Sequence, residues 1–212
     1  MKQSLLLFGS SGALGSAIEK RFLEAGWQVH RGTRKGYDLV EPCDAVIFGQ
    51  GLNTADTIAN YSEDKFLELF QANVGFIMEH SQSLVQKGLL KNQGKILIIT
   101  SLWEMLTRQE KLSYSVTKAA VGGLVRSMAV DLGRSHQILV NAIAPGIVDS
   151  PMARNGLTAE QLEYVHHGTP GGRMVTPDDV AKSAYMLVGP DNTAISGQRI
   201  VVEYGFTISR IM

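Results

Sequence analysis

The chain has 212 residues, 44% of them apolar and 19% charged, with lysine plus arginine equal in number to aspartate plus glutamate. That length suits a single domain, residues 1–212, able to bury a full core, and zero net charge without a basic stripe argues against a nucleic-acid binder. No apolar run approaches the roughly 20 residues that span a bilayer, and the lone Cys43 cannot form an internal disulfide, as expected of a cytoplasmic protein.

Leu5 to Phe8 is a short apolar run, the pattern of a strand buried on both faces. The glycines that follow it favour this reading over a signal peptide. It feeds Gly9-Ser10-Ser11-Gly12-Ala13-Leu14-Gly15, after which a helix is predicted from Ala13 to Ala25, stopped by Gly26. Trp27 to His30 reads as the second strand. Strand, glycine turn, helix, strand is half of a dinucleotide-binding unit, in which glycines let the backbone approach a pyrophosphate at the helix N-terminus.

From Arg31 to Phe48 there is room for a loop, a short strand near Tyr37 to Val40 and another at Ala45 to Phe48, with no helix of normal length between the second and third strands. Gly49-Gln50-Gly51 at a strand's carboxyl end suggests close approach of backbone to ligand. Ser62-Glu63-Asp64-Lys65 opens a helix running through Asn73, and a second helical pattern covers Gly75 to Gln86. Lys95 to Thr100 is a buried strand with Ser101 at its carboxyl end. A helix carrying Tyr114 and Lys118 runs to about Leu132, where Gly133 ends it, and Ile138 to Ile143 is the next strand. Thr158 and Gln161 form a candidate capping box for a short helix to His166. Thr176-Pro177-Asp178-Asp179 starts the last helix, which stops before Gly189, and Arg199 to Val202 is the final strand. Such alternation predicts an α/β, doubly wound parallel sheet of Rossmann type, with the helix between strands 2 and 3 missing or vestigial.

Tyr114 and Lys118 lie on one helix face, at i and i+4. A phenol ordinarily ionises near pH 10. A cation beside it is expected to lower that value, so that Tyr114 could exchange a proton with a substrate oxygen near neutrality. On the pair alone, a half-buried tyrosine and a solvated lysine would be the simpler account.

The whole set resembles the short-chain dehydrogenase/reductase family. Tyr114 and Lys118 match its Tyr-x-x-x-Lys, and Ser101, thirteen residues earlier, matches its catalytic serine. Asn73 in Gln71-Ala72-Asn73-Val74-Gly75 matches its asparagine. Asn141 to Val148 matches the Asn-x-x-x-Pro-Gly stretch that covers the nicotinamide, and Arg173 with Thr176 to Ala181 matches the start of the family's last helix. Three departures stand out: glycine spacing Gly-x-x-Gly-x-x-Gly, Phe48-Gly49-Gln50-Gly51 in place of Asn-Asn-Ala-Gly, and the missing helix after strand 2.

The resemblance implies hydride transfer between a nicotinamide and a carbonyl or secondary alcohol. Tyr114 would donate the proton, Lys118 would lower its pKa and bind the ribose, Ser101 would hold the substrate oxygen, and Asn73 would hold a relay water. It implies cofactor contacts from Gly9, Ser10, Ser11, Gly12, Leu14, Gly15, Gly49, Gly51, Pro145, Gly146, Val148 and Ser150. Asp38 and Leu39 would lie against the adenine. Thr33 takes the position where a carboxylate would select NAD, and Arg34 and Lys35 follow, with Arg31 nearby; these favour NADP, with NAD the other candidate. Leu102, Trp103, Glu104, Met105 and the loop 147–172 are expected to set specificity. No metal is expected. The resemblance further implies a homodimer or homotetramer packed through helices 75–87 and 113–132 and around the final strand. A cofactor-binding scaffold without turnover and a sugar-nucleotide-modifying enzyme are the competing readings.

Overall fold

The computed structural model describes residues 2–209. Six parallel strands form one sheet in the order β2-β1-β3-β4-β5-β6. They are β1 (Ser4–Phe8), β2 (Gln28–Gly32), β3 (Cys43–Phe48), β4 (Leu90–Ile99), β5 (Leu139–Pro145) and β6 (Arg199–Val202). The helices are α1 (Ala13–Glu24), α2 (Glu63–Phe70), α3 (Phe76–Gln86), α4 (Leu112–His136), α5 (Pro151–Gly156), α6 (Ala159–Gly168) and α7 (Pro177–Val188).

The two-residue period of the strands sorts the apolar side chains onto two faces. Leu5, Leu7, Ala45, Ile47, Leu97 and Ile99 pack with Ile18 and Phe22 of α1 and with Val180, Ala181 and Ala184 of α7. Leu6, Phe8, Val46, Phe48, Ile96 and Ile98 pack with Ile77 and Leu84 of α3 and with Val121 and Val125 of α4. The order turns back between β1 and β3, and the glycine turn after β1 meets Gly49 at that switch point.

Several boundaries differ from the sequence expectation. No strand forms over Tyr37 to Val40. Tyr37 and Leu39 instead pack on the α3 side of the core, and the Tyr37 hydroxyl pairs with Ser83 Oγ at 2.9 Å. That leaves β2 as the sheet edge. β4 begins at Leu90, before Lys95, with a register shift where Cys43 pairs Leu90 and Ala45 pairs Lys95. α4 passes through Gly133 to His136, and Gln137, at φ 58°, supplies the left-handed cap. α5 was not expected from sequence. The expected Thr158–Gln161 capping box forms, and the Thr176 cap forms a second one with Asp179. Between α2 and α3 the helix widens into a π-turn over Gln71–Gly75, which contains Asn73.

Candidate active site

The glycine turns, Ser101 and Pro145-Gly146 lie at the carboxyl ends of β1, β3, β4 and β5, where open α/β sheets bind ligands. Gly9 takes φ +80°, and a β-carbon there would lie 2.7 Å from Gln50 N. A β-carbon on Gly15 would lie 2.0 Å from the Gly9 carbonyl oxygen. Only glycine permits this contact between the turn, the first helical residues and the end of β3. Gly49 N donates to Phe8 O at 3.0 Å, and Gly12 N donates to Gly9 O at 3.1 Å. The Gln50 carboxamide is buried, and neither its oxygen nor its nitrogen has a partner among the described residues. A backbone cradle with an orphaned amide beside it fits a polar cofactor that supplies the missing bonds.

Ser101 follows β4 in extended backbone and caps a 3₁₀ turn, Leu102–Glu104, its Oγ accepting from Trp103 N at 3.3 Å. Tyr114 lies in the first turn of α4. The Lys118 ammonium sits 5.6 Å from the centre of the Tyr114 ring. Burial pushes the phenol above its ordinary pKa, and its hydrogen bond with Ser101 pulls the other way. The depression by Lys118 expected from sequence is not found: burial raises the Tyr114 pKa, and the only opposing cause is Ser101. Lys118 is itself buried, which lowers its pKa to about 8, with the Glu104 charge acting in the opposite direction.

Asn73 is fully engaged with protein. Its Nδ2 donates to Leu52 O and to Thr117 Oγ1, both at 3.0 Å, and its Oδ1 accepts from Leu52 N at 2.8 Å. Thr117 Oγ1 in turn donates to Tyr114 O at 2.9 Å. A β-carbon on Gly51 would lie 3.3 Å from Asn73 Oδ1 and 3.4 Å from Lys118 Nζ, so Gly51 lies against both.

Beyond β5, Gly146 N donates to Val202 O at 2.9 Å, which ties the Pro145-Gly146 bend to β6. Val148 bridges to Val175, and Ser150 caps α5, its Oγ accepting from Ala153 N at 3.3 Å. A cavity of about 350 Å³ lies under this segment, lined by Asp149, Arg154, Leu162, His166, Arg173, Met174 and Thr176.

At the β2 edge, Thr33 and Gly36 close a tight turn with Arg34 and Lys35 exposed at its tip. Arg31 is not free to join them, because Glu19 of α1 holds its guanidinium at 2.8 and 3.1 Å. Asp38 is exposed.

Two of the expected specificity residues do not face a pocket. Leu102 is 1% exposed, in the core. Glu104 folds inward: Arg199 Nη1 donates to its Oε1 at 2.8 Å, and a β-carbon on Gly122 would lie 2.2 Å from that same oxygen. Trp103 and Met105 remain accessible, and the Arg108 guanidinium lies 6.0 Å from the Trp103 ring centre. Sequence reasoning passed over two neighbours of Tyr114. Lys111 Nζ is 5.6 Å from the centre of the Tyr114 ring, and Asp56 accepts from Ser113 N at 3.0 Å and from Ser113 Oγ. Lysine at i−3 was the available signal, since i−3 and i+4 share a helix face.

Comparison with known proteins places the family and the fold. Among curated proteins, gluconate 5-dehydrogenase of Gluconobacter oxydans (strain 621H) is 27% identical over 169 residues, 79% of this chain and 66% of that enzyme. The chain spans about two thirds of the length of the first curated relatives it matches. Among solved structures, gluconate 5-dehydrogenase from Burkholderia cenocepacia J2315, in complex with NADP and tartrate, superposes with a TM-score of 0.86 at 20% identity, covering 99% of this chain and 97% of that one. The 3-ketoacyl-(acyl-carrier-protein) reductase from Brucella melitensis, complexed with NADH, gives 0.83 at 19% identity, covering 97% and 98%. Residues 38–207 match the family model described as enoyl-(acyl carrier protein) reductase, a stretch that begins after the unusual glycine turn and carries Asn73, Ser101, Tyr114 and Lys118. By that match the chain belongs to the short-chain dehydrogenase/reductase family.

Proposed function

We propose that the protein is a nicotinamide-dependent oxidoreductase that interconverts a carbonyl and a secondary alcohol on a small molecule, with NADP as the preferred cofactor. The observation that carries this reading is the convergence of Ser101, Tyr114, Lys118 and Asn73 beside a glycine cradle that has an orphaned amide at its edge.

Gly9, Gly12 and Gly15 would hold the pyrophosphate, with Ser10, Ser11 and Leu14 around it, and Gly49, Gln50 and Gly51 would line the opposite wall. The bound nicotinamide supplies the hydride. Every other task falls to this chain. Ser101 donates to the substrate oxygen and fixes the carbonyl beside Tyr114. Tyr114 stays protonated in its buried site, which is the form that can give a proton to the developing alkoxide. Lys118, largely an ammonium below pH 8, stabilises negative charge forming on the phenol oxygen and binds ribose hydroxyls. Asn73 braces this floor through Leu52 and Thr117. Pro145, Gly146, Val148 and Ser150 would close over the nicotinamide side.

NADP preference is supported by Arg34 and Lys35, exposed at the end of β2 with no carboxylate paired to either among the described residues. One of the curated relatives bears the name gluconate 5-dehydrogenase, which supports a small polar alcohol or ketone as substrate. Exposed Leu67, Met78, Val116 and Val130 on α2, α3 and α4 support association of copies through these helices.

The test is oxidation of NADPH, then NADH, across a panel of ketones, oxo acids and sugars. Tyr114→Phe should lower turnover by about 10²–10⁴-fold while cofactor affinity is kept. Full turnover in that variant would remove Tyr114 from the proton-donor role.

A further inference from the structure

Lys111 is 7% exposed, yet it carries an ammonium. Its Nζ donates to Asn53 Oδ1 at 2.9 Å and to Thr54 O at 3.4 Å. Both partners are neutral, and an ammonium has a third proton to give. Among the described residues no carboxylate forms an ion pair with it. Asp56, a nearby acid, is committed to the Ser113 amide and hydroxyl. Burial and the Arg108 charge work against the charged form of Lys111, while the Glu110 and Asp56 charges, neither of them in contact with its ammonium, act in the opposite direction. A buried charge with no carboxylate in direct contact is costly, and its usual resolution is a partner of opposite sign at hydrogen-bond distance.

We propose that Lys111 binds a carboxylate carried by the carbonyl substrate, beside Tyr114. The proposal rests on the oxidoreductase reading for the identity of the ligand as substrate. The two ammonium groups stand 5.6 Å from the centre of the same ring, at i−3 and i+4 from the tyrosine. Lys118 is assigned to the cofactor and the proton donor; Lys111 has no such task. With the reacting oxygen held by Ser101 and Tyr114, a group bound at Lys111 sits on a carbon close to the carbonyl. That describes a short oxo acid or the matching hydroxy acid. Arg108, over the Trp103 ring, adds positive potential at the accessible rim. Fixing loop 51–57 to α4 would not by itself require a charge. A neutral amide could bond to the same two oxygens at lower desolvation cost.

The experiment compares short 2-oxo and 3-oxo acids with their methyl esters, using NADPH, in the wild type and three variants. The wild type should favour each acid over its ester by about tenfold or more in kcat/KM, a difference that a single charged contact can supply. Lys111→Met should bring the ratio to about one, mainly through KM, whereas Lys111→Arg should retain most of it. Asn53→Ala, which weakens the loop attachment and leaves the ammonium, should keep the acid preference. An unchanged acid-to-ester ratio in Lys111→Met, or its loss in Asn53→Ala as well, would overturn the proposal. The same ligands are also titrated against Trp103 fluorescence without turnover. If no compound is turned over, the oxidoreductase reading fails, while acid-selective binding that Lys111→Met abolishes still upholds the anion site, and equal binding of acid and ester sinks it.

Discussion

The two flanks of the sheet are held by different means. On the β4–β5 side the strand segments Ile96–Ile99 and Val140–Pro145 are buried, and α4 is tied to other segments through its polar residues. Asp56 holds Ser113, Asn73 holds Thr117, and Lys111 holds Asn53. On the β2 side the strand is half exposed, and residues 33–42 run past it without a helix or strand. Buried polar contacts fix geometry because leaving one unmade is expensive. Exposed side chains are positioned by little, so their role can change at small cost. The Tyr114 side of the proposed site belongs to the first regime and the Arg34–Lys35 edge to the second.

The sharpest test of that contrast is Lys118→Met. Burial holds the Lys118 pKa at about 8 in the folded protein, against about 10.4 in an unfolded chain. Between those values the unfolded chain binds the extra proton, so stability rises with pH across that window and the full cost of burying the charge is present below about pH 8. The variant should therefore lose turnover yet gain about 3 kcal/mol of unfolding free energy at pH 7, with the rise above pH 8 flattened. Denaturant melts at pH 7 and pH 10 give both numbers. No gain at pH 7 would mean that Lys118 is solvated and that this flank is looser than described.

A smaller effect is expected at Gly122. Any side chain there meets the buried Glu104 carboxylate, so Gly122→Ala should cost about 1–3 kcal/mol in the same melts. Stability equal to the wild type would show that Glu104 can swing out. The smallest effect belongs to the β2 edge. Replacing Arg34 and Lys35 together by alanine should leave stability within about 0.5 kcal/mol. It should weaken NADPH binding about three- to tenfold, with NADH binding unchanged. Equal losses for both cofactors would detach these two residues from any role at the 2′-phosphate.

Much of this fold is legible in the chain itself. The apolar runs at Leu5, Ala45, Ile96 and Ile138 mark strands because burial on both faces leaves no room for polar alternation. Thr158 and Thr176 mark helix starts because their hydroxyls have amides to cap. The misread strand at Tyr37 to Val40 has the right composition, but Tyr37 and Leu39 turn onto α3, a tertiary preference that no local pattern encodes. Gly133 looks like a helix stop, yet the helix continues for three residues before Gln137 takes the left-handed turn. Among the proposed site residues, Tyr114 and Lys118 are marked by their i, i+4 spacing, and Ser101 and Asn73 by their resemblance to family motifs. Glu104 was placed at the wrong surface because its inward fold depends on Gly122 and Arg199, both remote in sequence. Lys111 was missed for a similar reason: its burial comes from Asn53 and Thr54 on another loop.

The Leu52 amide lies in a loop without helix or strand, yet it donates to the buried Asn73 carboxamide at 2.8 Å. Its carbonyl accepts from the same group, and that group also reaches α4 through Thr117. An ordinary loop amide exchanges its hydrogen with solvent freely. The Leu52 hydrogen can exchange only when the π-turn lets go of it. In deuterated water it should therefore persist alongside the strand amides, so that a residue outside every regular element reports the opening of the protein's interior.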